Sequence, residues 1–456
     1  MIRTLGVIVA LAQIVLQTVA AQPSFSFRVV TTGLSAPWEV IWGPDDQLWI
    51  TERTGRRVIR VNPATGAVTR LLSVDESYDP GESWHEGVLG LALHPDLLKG
   101  AGRDYVYVAY TYDADTGPAL LRKLKVRRYT YDSATSALIN PLDLITNLPA
   151  HDDHGGGRLA FGPDQKLYLT RGDNGGNWLR NYCTPNTAQD LPTAAQVSAR
   201  DWAAYVGKIL RLNLDGSIPA DNPAIDGVRS HIYTYGHRNP QGLGFGPSGL
   251  LYSSEHGPGT DDELNLITAG SNYGWPHIAG NRDDRGYVYS NWSQSKGVAC
   301  ASLTFDDAAP VPPSVPRQKE SEWKGTFVPP LRTFFTVPAN YDFQKSGGAT
   351  IAAGGLEIYA ARANDIPGWA NSVLQPGMTM GRVYRVKLSE DGRSTVGDNE
   401  ELFRTANRYR DIAIGRDPRT FFVVTDNNGL GRTTDPSGAR VTTFANPGSV
   451  LEFKFN

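Results

Sequence analysis

Beyond its N-terminal segment this chain lacks any apolar run long enough to cross a bilayer, which excludes a later membrane-spanning helix. Charge of one sign is also scarce. Lysine and arginine number 44 against 47 aspartates and glutamates, a formal net charge of −3. That balance leaves neither a basic footprint for nucleic acid nor an acidic tail, and it favours a small-molecule partner over a polyanion. Long amphipathic helical patterns are missing, and no composition break marks a domain boundary after the N-terminus. Cysteine occurs only twice, at Cys183 and Cys300. The two could pair in an oxidising compartment or stay free, and their spacing does not decide between these.

What is abundant points to β-structure. Glycine (48), proline (30), tyrosine (20) and tryptophan (10) suit short strands joined by tight turns, and 456 residues can bury a large core. At the N-terminus, Arg3 precedes an apolar run from Leu5 to Leu16 and small residues at Val19, Ala20 and Ala21. This predicts a secretory signal peptide over residues 1–21, the run being short for a membrane anchor, and a single domain over 22–456 that is secreted or periplasmic. Asn291-Trp292-Ser293 fits a glycan acceptor in a glycosylating host.

A repeat emerges from the turns. Trp42-Gly43-Pro44-Asp45 leads to Leu48-Trp49-Ile50-Thr51, Phe161-Gly162-Pro163-Asp164 to Leu167-Tyr168-Leu169-Thr170, and Phe245-Gly246-Pro247-Ser248 to Leu251-Tyr252-Ser253-Ser254. A weaker copy runs from Ile414 to Thr425, and Tyr105–Tyr112 and Arg382–Leu388 read as further strands. An aromatic residue, a Gly-Pro turn and an apolar strand form the grammar of a hairpin. Recurrent hairpins without helical crossovers predict an all-β propeller, favoured over a stacked sandwich array because each repeat strand ends in polar residues. Glu52-Arg53, Arg171-Gly172-Asp173, Glu255-His256-Gly257 and Asp426-Asn427 would then converge on the mouth of one central channel.

Several loops carry chemistry. His151-Asp152-Asp153-His154-Gly155-Gly156 is open to three explanations: a metal site, a general base beside a substrate, or a polar loop turned by glycine. Asp173 lies nineteen residues after His154, close enough in a hairpin to fix the tautomer of that imidazole. In Gly236-His237-Arg238-Asn239-Pro240-Gln241-Gly242 a glycine-bounded arginine could stabilise an oxyanion, or form an ordinary ion pair. The acidic loop Glu255 to Glu263 offers oxygens to a hard cation without the spacing of a helix-loop-helix calcium motif. Arg408 and Arg410 share one side of an extended segment, as an anion clamp or a solvated face.

Taken together, Arg158-Leu159 through Gln165, Gly207 to Pro219, Gly236 to Gly242, Asn272-Tyr273-Gly274-Trp275-Pro276 and Asn407 to Asp411 resemble the soluble quinoprotein glucose dehydrogenases and the wider glucose/sorbosone dehydrogenase family. The likeness runs from Trp38 to the C-terminus. It implies a six-bladed β-propeller dependent on calcium and pyrroloquinoline quinone (PQQ), with the active site at the mouth of the channel. It further implies that His154 is the general base for the sugar's anomeric hydroxyl, Asp173 its orienting carboxylate and Arg238 the cation beside the reactive carbonyl. Asn239, Thr350, Arg408 and Arg410 match cofactor-holding positions, and the backbone carbonyls of Gly257 and Pro258 match calcium ligands. Asp262, Glu263 and Tyr273, and separately Ala279, Asn281, Asp283 and Glu320, match positions for structural calcium.

The chain departs from the family at three of these places. His85 and His256 stand where the glucose dehydrogenases carry glutamine, and Thr379 replaces a lysine that helps bind the cofactor. Asp153, His85 and His256 are therefore the expected substrate neighbours, and sugar choice is expected to have changed more than reaction class. Gly155 to Gly157 are expected to keep the approach to the base open. The resemblance implies oxidation of an aldose to a lactone with electrons passed to an external acceptor, and leaves a homodimer open. Oxidation of another sugar or a sorbosone-type aldehyde is the alternative activity, and a non-catalytic ligand-binding propeller the alternative class.

Overall fold

The computed structural model describes residues 24–78, 81, 85–306, 309–379, 381–427, 441 and 443–456. The predicted signal peptide lies outside these residues. Six four-stranded antiparallel sheets build the molecule. In chain order their first strands are Pro37–Trp42, Val88–Leu93, Gly156–Phe161, Pro240–Phe245, Glu357–Tyr359 and Tyr409–Ile414. Each touches the first strand of the next sheet, and the sixth returns to the first. The architecture is thus the expected six-bladed β-propeller, with the blades numbered here in that order. Among the described residues α-helix is confined to Ala194–Ala199 and Phe343–Ser346.

The repeat has a physical basis in its turns. Gly43 donates its amide to Gln47 (2.8 Å), Gly162 to Lys166 (2.9 Å), Gly246 to Leu250 (2.8 Å) and Gly415 to Thr420 (2.9 Å), joining first to second strands in blades one, three, four and six. In blades one and three the turn aspartate also accepts a bond from the aromatic residue of the returning strand. Trp49 Nε1 lies 2.9 Å from Asp45 Oδ1, and the Tyr168 hydroxyl 2.9 Å from Asp164 Oδ2. The aromatic residue and the aspartate recur together because one caps the other.

Non-local pairing closes the ring. Phe25–Thr31 forms the outer strand of blade six against Val450–Phe455, with Phe25 opposite Phe455 and Val29 opposite Leu451. Phe25 packs its ring on Trp369, Phe403, Phe421 and Phe455 with centroids 4.8 to 6.1 Å apart. Without this strand, Val450–Phe455 would present an open edge.

Five of the six first strands begin with a register shift, between Pro37 and Glu39, Val88 and Leu91, Gly156 and Leu159, Pro240 and Gly242, and Tyr409 and Asp411. Such bulges kink a strand and re-aim its side chains. They lie where His85, His154, Arg238 and Arg408 enter the strands, so a repeated backbone irregularity serves the functional end of the ring. Two long insertions cover that end, residues 172–207 in blade three and 268–331 in blade four. Cys183 and Cys300 form a disulfide between them, with Cα atoms 5.6 Å apart.

One buried histidine in blade three gives the fold an acid sensitivity. His231 faces the Tyr205 hydroxyl through Nδ1 (3.2 Å) and the Gly216 carbonyl through Nε2 (3.1 Å). Burial pushes it down from the ordinary value of 6.5 to about 4. Between those values the unfolded chain binds the proton and the folded chain does not, so stability falls as pH falls through this window. We expect His231→Gln to flatten that acid slope by at most about 3 kcal/mol. Urea midpoints of both proteins at pH 7 and pH 4.5 check it, and parallel slopes would count against this assignment.

Candidate active site

His154 opens the first strand of blade three with a left-handed backbone (φ 47°), its amide bonded to Asp153 Oδ1 at 2.9 Å. The second strand of the blade returns alongside it at Gly172. A Cβ on Gly172 would lie 1.9 Å from the His154 carbonyl, so only glycine lets Asp173 come this close. Asp173 Oδ1 then meets His154 Nδ1 at 2.6 Å. The carboxylate is held from every side: Oδ1 accepts from the Gly175 amide (2.9 Å), and Oδ2 from Asn186 Nδ2 (2.8 Å) and Trp275 Nε1 (2.6 Å). A carboxylate so surrounded by donors remains an acceptor. The neutral imidazole of His154 therefore carries its proton on Nδ1 and leaves a lone pair on Nε2.

A carboxylate and a second imidazole lie beside this nitrogen, and a third imidazole, His256, contacts Arg238. Asp153 Oδ1 lies 3.6 Å from His154 Nε2 and 3.5 Å from His85 Nε2. Burial drives His85 down to about 3 in spite of Asp153. Burial works in the opposite sense on Asp153, yet His154, His85 and Arg238 hold its carboxyl at about 2. His256 donates from Nε2 to the Ala353 carbonyl at 2.7 Å. Burial, reinforced by the positive potential of His85, Arg238 and His154, keeps it well below the ordinary range. It is thus neutral, with Nδ1 as an acceptor.

Arg238 is fixed between two indoles, its guanidinium carbon 5.5 Å from the Trp178 ring centre and 5.2 Å from that of Trp275. Its Nη1 donates to the His256 carbonyl at 3.2 Å, and its buried Nε has no partner among the described residues. Glu255 locks the backbone beneath it, accepting the Arg238 amide and meeting His237 Nδ1 at 2.9 Å.

Arg408 and Arg410, open to reading as an anion clamp or a solvated face, converge on one aspartate in blade six. Arg408 Nε and Arg410 Nη2 each donate to Asp426 Oδ2 at 2.8 Å. Arg53 joins the same field: burial and then repulsion from Arg410 lower it to about 10, while Asp426 and Glu86 oppose this. Two guanidiniums, that of Arg410 buried and that of Arg408 partly so, thus share one aspartate, with buried Arg53 in the same field. Asn239 presents a buried Nδ2 with no partner among the described residues, its Oδ1 being taken by Gln241 (2.9 Å). Thr379 donates to the Thr350 carbonyl at 2.8 Å, which brings these two predicted cofactor positions together.

The predicted metal positions divide by chemistry. The carbonyls of Gly257 and Pro258 take no hydrogen bond from any described residue, whereas Asp262 clasps their loop, accepting the Gly257 amide on Oδ1 (2.8 Å) and the Ile351 and Ala352 amides on Oδ2 (2.8 Å each). Burial raises Asp262 to about 7. Glu263 accepts the Gly280 amide (2.7 Å) and Asn265 Nδ2 (2.8 Å), and burial, then Glu255, raises it well above the carboxylate range. Tyr273 sends its hydroxyl to the Leu266 carbonyl at 2.7 Å. Glu320 gathers the amides of Ala279 (2.9 Å), Asp283 (3.2 Å) and Asp284 (2.9 Å), and burial lifts it to about 7. Asn281 accepts the Asp283 amide on its carbonyl at 2.9 Å. Among the described residues no group of three or more His, Cys, Asp and Glu side chains forms a metal cage.

One expectation is corrected. The glycines after His154 do not clear a path for a ligand, because a Cβ on Gly155, Gly156 or Gly157 would strike protein: His85 O at 2.7 Å, Thr170 O at 2.8 Å and Leu89 Cδ1 at 2.8 Å. Gly155 and Gly157 let the blade-two segment approach, and Gly156 lets the second strand of its own blade do so. Sequence reasoning also left Trp178, Asn186 and Asp426 unassigned. Asp426 was visible as a polar strand end, whereas nothing in the spacing links Trp275 to Asp173, 102 residues away.

Comparison with known proteins follows from this geometry. The profile of the family described as Glucose / Sorbosone dehydrogenase matches residues 34–329 and 336–432. Quinoprotein glucose dehydrogenase B of Acinetobacter calcoaceticus is 41% identical over 447 residues, covering 96% of this chain and 92% of that protein. Aldose sugar dehydrogenase YliI of Escherichia coli K12 is 29% identical over 265 residues, covering 56% and 63% respectively. The solved PQQ-bound form of the Streptomyces coelicolor aldose sugar dehydrogenase superposes with a TM-score of 0.64 at 26% identity, over 96% of this chain and all of that one, 100%.

The arginine cluster yields a test of its own. Asp426→Asn removes the shared counter-charge while keeping size, so the ligand-free protein is expected to lose about 3 kcal/mol in urea unfolding. An unchanged midpoint would mean that Asp426 does not hold the arginines.

Proposed function

Because the chain belongs to the glucose/sorbosone dehydrogenase family, we propose that it is a PQQ- and calcium-dependent dehydrogenase that oxidises the anomeric C1 hydroxyl of an aldose to a lactone and passes the electrons to an external acceptor. The observation that carries this reading is the buried His154–Asp173 pair at 2.6 Å, which leaves His154 Nε2 as a base beside the fixed guanidinium of Arg238.

The residues suit both groups. A quinone bearing several carboxylates matches the guanidiniums of Arg53, Arg408 and Arg410 and the spare donor of Asn239. Unengaged backbone carbonyls at Gly257 and Pro258 are the oxygen ligands a hard cation prefers. When bound, PQQ would accept the hydride from C1, with calcium polarising its carbonyl.

The chain's own residues do the rest. His154 Nε2 takes the proton of the C1 hydroxyl as the hydride leaves, and the Asp173 carboxylate at Nδ1 stabilises the imidazolium. Arg238 supplies a preorganised cation where negative charge develops. Asp153 and the neutral rings of His85 and His256 offer hydrogen bonds that orient the sugar. Those two histidines are also the observation behind the second reading, oxidation of another sugar or a sorbosone-type aldehyde. The disulfide and the N-terminal apolar segment support export to an oxidising, secreted or periplasmic setting.

Apoprotein loaded with PQQ and calcium and offered an aldose panel should reduce a dye acceptor. Failure with every sugar, despite bound quinone, would overturn the proposal. His154→Asn should lower kcat by about 10²- to 10⁴-fold with PQQ absorbance retained, as expected for a lost general base. Chelation of calcium should abolish turnover, and added calcium should restore it.

A further inference from the structure

Each oxidation of C1 loads His154 Nε2 with a proton, and the base must be emptied before the next turnover. The Nδ1 side offers no exit. Asp173 has no exposed side-chain surface, and its two oxygens are taken by His154, Gly175, Asn186 and Trp275. On the other side, Asp153 Oδ1 lies 3.6 Å from His154 Nε2. That same oxygen lies 3.5 Å from His85 Nε2, and the two imidazoles stand edge to face with centroids 6.1 Å apart. One carboxylate oxygen thus sits midway between two rings. Separations of this length in a ligand-free site commonly tighten to hydrogen bonds in the reacting complex.

The chain is built for this approach. A Cβ on Gly155 would lie 2.7 Å from the His85 carbonyl and 3.4 Å from His85 Cβ, so glycine at 155 lets the segment before blade two bring His85 up to Asp153. The His154 amide steadies Asp153 Oδ1 at 2.9 Å, and with its carboxyl held at about 2 Asp153 is an ionised acceptor. The charged and titratable groups facing His85 are Asp153, His154, Arg53 and Arg410, with His256 in the same field. We propose that His85 is a proton relay: the proton passes from His154 Nε2 to Asp153 Oδ1, then to His85 Nε2, while His85 gives up its Nδ1 proton to water. In each step one N–H or O–H bond breaks as the next forms, and no electrons move, the electron pair having left C1 with the hydride. Exchange with water then restores the starting tautomer of His85. Burial keeps this ring at about 3, so it passes the proton on without storing it. Its side chain is 12% exposed against 7% for His154, which makes it the more open of the two to solvent. The relay rests on the sugar-dehydrogenase reading above and gives His85 a second task at the same site, beyond orienting the sugar.

His85→Gln tests it, because the amide keeps hydrogen-bonding atoms for the sugar and cannot carry a proton. In weak buffer, with PQQ and calcium loaded and aldose and dye saturating, the variant should lose about 100-fold in steady-state turnover, the lower end for a lost acid–base group. Added imidazole should restore at least about tenfold of that turnover by taking the proton itself. The same imidazole should not change the variant's first quinone reduction, followed by absorbance in single-turnover mixing without dye. A purely orienting His85 gives the opposite pattern, a slower first reduction and a raised KM with no response to imidazole. That pattern would overturn the relay, as would steady-state turnover equal to that of the unmodified protein. His85→Ala, measured in parallel, should show the same rescue, and loss of bound quinone in both variants would make His85 a structural residue and reject the relay too. Turnover indifferent to His85 sinks the relay alone, whereas no turnover by the unmodified protein with any sugar sinks the dehydrogenase reading and the relay with it.

Discussion

Closure of the ring is the constraint on which everything else depends. Phe25–Thr31 must pair with Val450–Phe455 across a sequence distance of more than four hundred residues, as the Ser26 to Lys454 contact shows with its separation of 428. Only then does the last blade reach four strands like the others, with its first and last segments locked together. His85 before blade two, His154 in three, Arg238 in four and Arg408 in six become neighbours for that reason alone. The recurring bulges at the strand starts refine what closure makes available, turning equivalent backbone positions into different chemical roles.

Charge is distributed across that end of the ring in a graded way. Arg53, Arg408 and Arg410 with Asp426 hold one side strongly positive, while His85 and His256, driven down by burial, stay neutral. Between them, Asp173 is saturated by donors and Asp153 is held at about 2. Fixed charges flank neutral imidazoles, and in the proposed reaction the proton goes to His154 Nε2. The indoles of Trp178 and Trp275 keep the Arg238 guanidinium in place and also line a neighbouring cavity between the two insertions.

Much of the fold was legible in the chain. The Gly-Pro turns followed by Trp49, Tyr168 and Tyr252 mark real hairpins because their hydrogen bonds are local, spanning four or five residues. His154 and Asp173 could be paired from a hairpin spacing for the same reason. Local spacing fails where contacts are long. Trp275 reaches Asp173, Arg158 Nη1 reaches Asp411 Oδ2 at 2.8 Å, and Asp262 organises residues 350–352. Glycines were the other blind spot. Gly155 to Gly157 were read for what they open, whereas the neighbouring segments determine what they must not touch.

By itself, then, the sequence determined the strand repeat, the polar strand ends, the pairing of His154 with Asp173, and the two arginines of blade six, since each follows from periodicity, turn chemistry or a short spacing. Tertiary structure alone decided that Asp426 is shared by Arg408 and Arg410, that Arg238 is clamped by indoles from two insertions, that His85 and His256 are neutral, and that Cys183 meets Cys300. Those properties depend on burial and on which distant segments the closed ring brings together. Neither quantity is encoded in the order of residues until the last strand is in place.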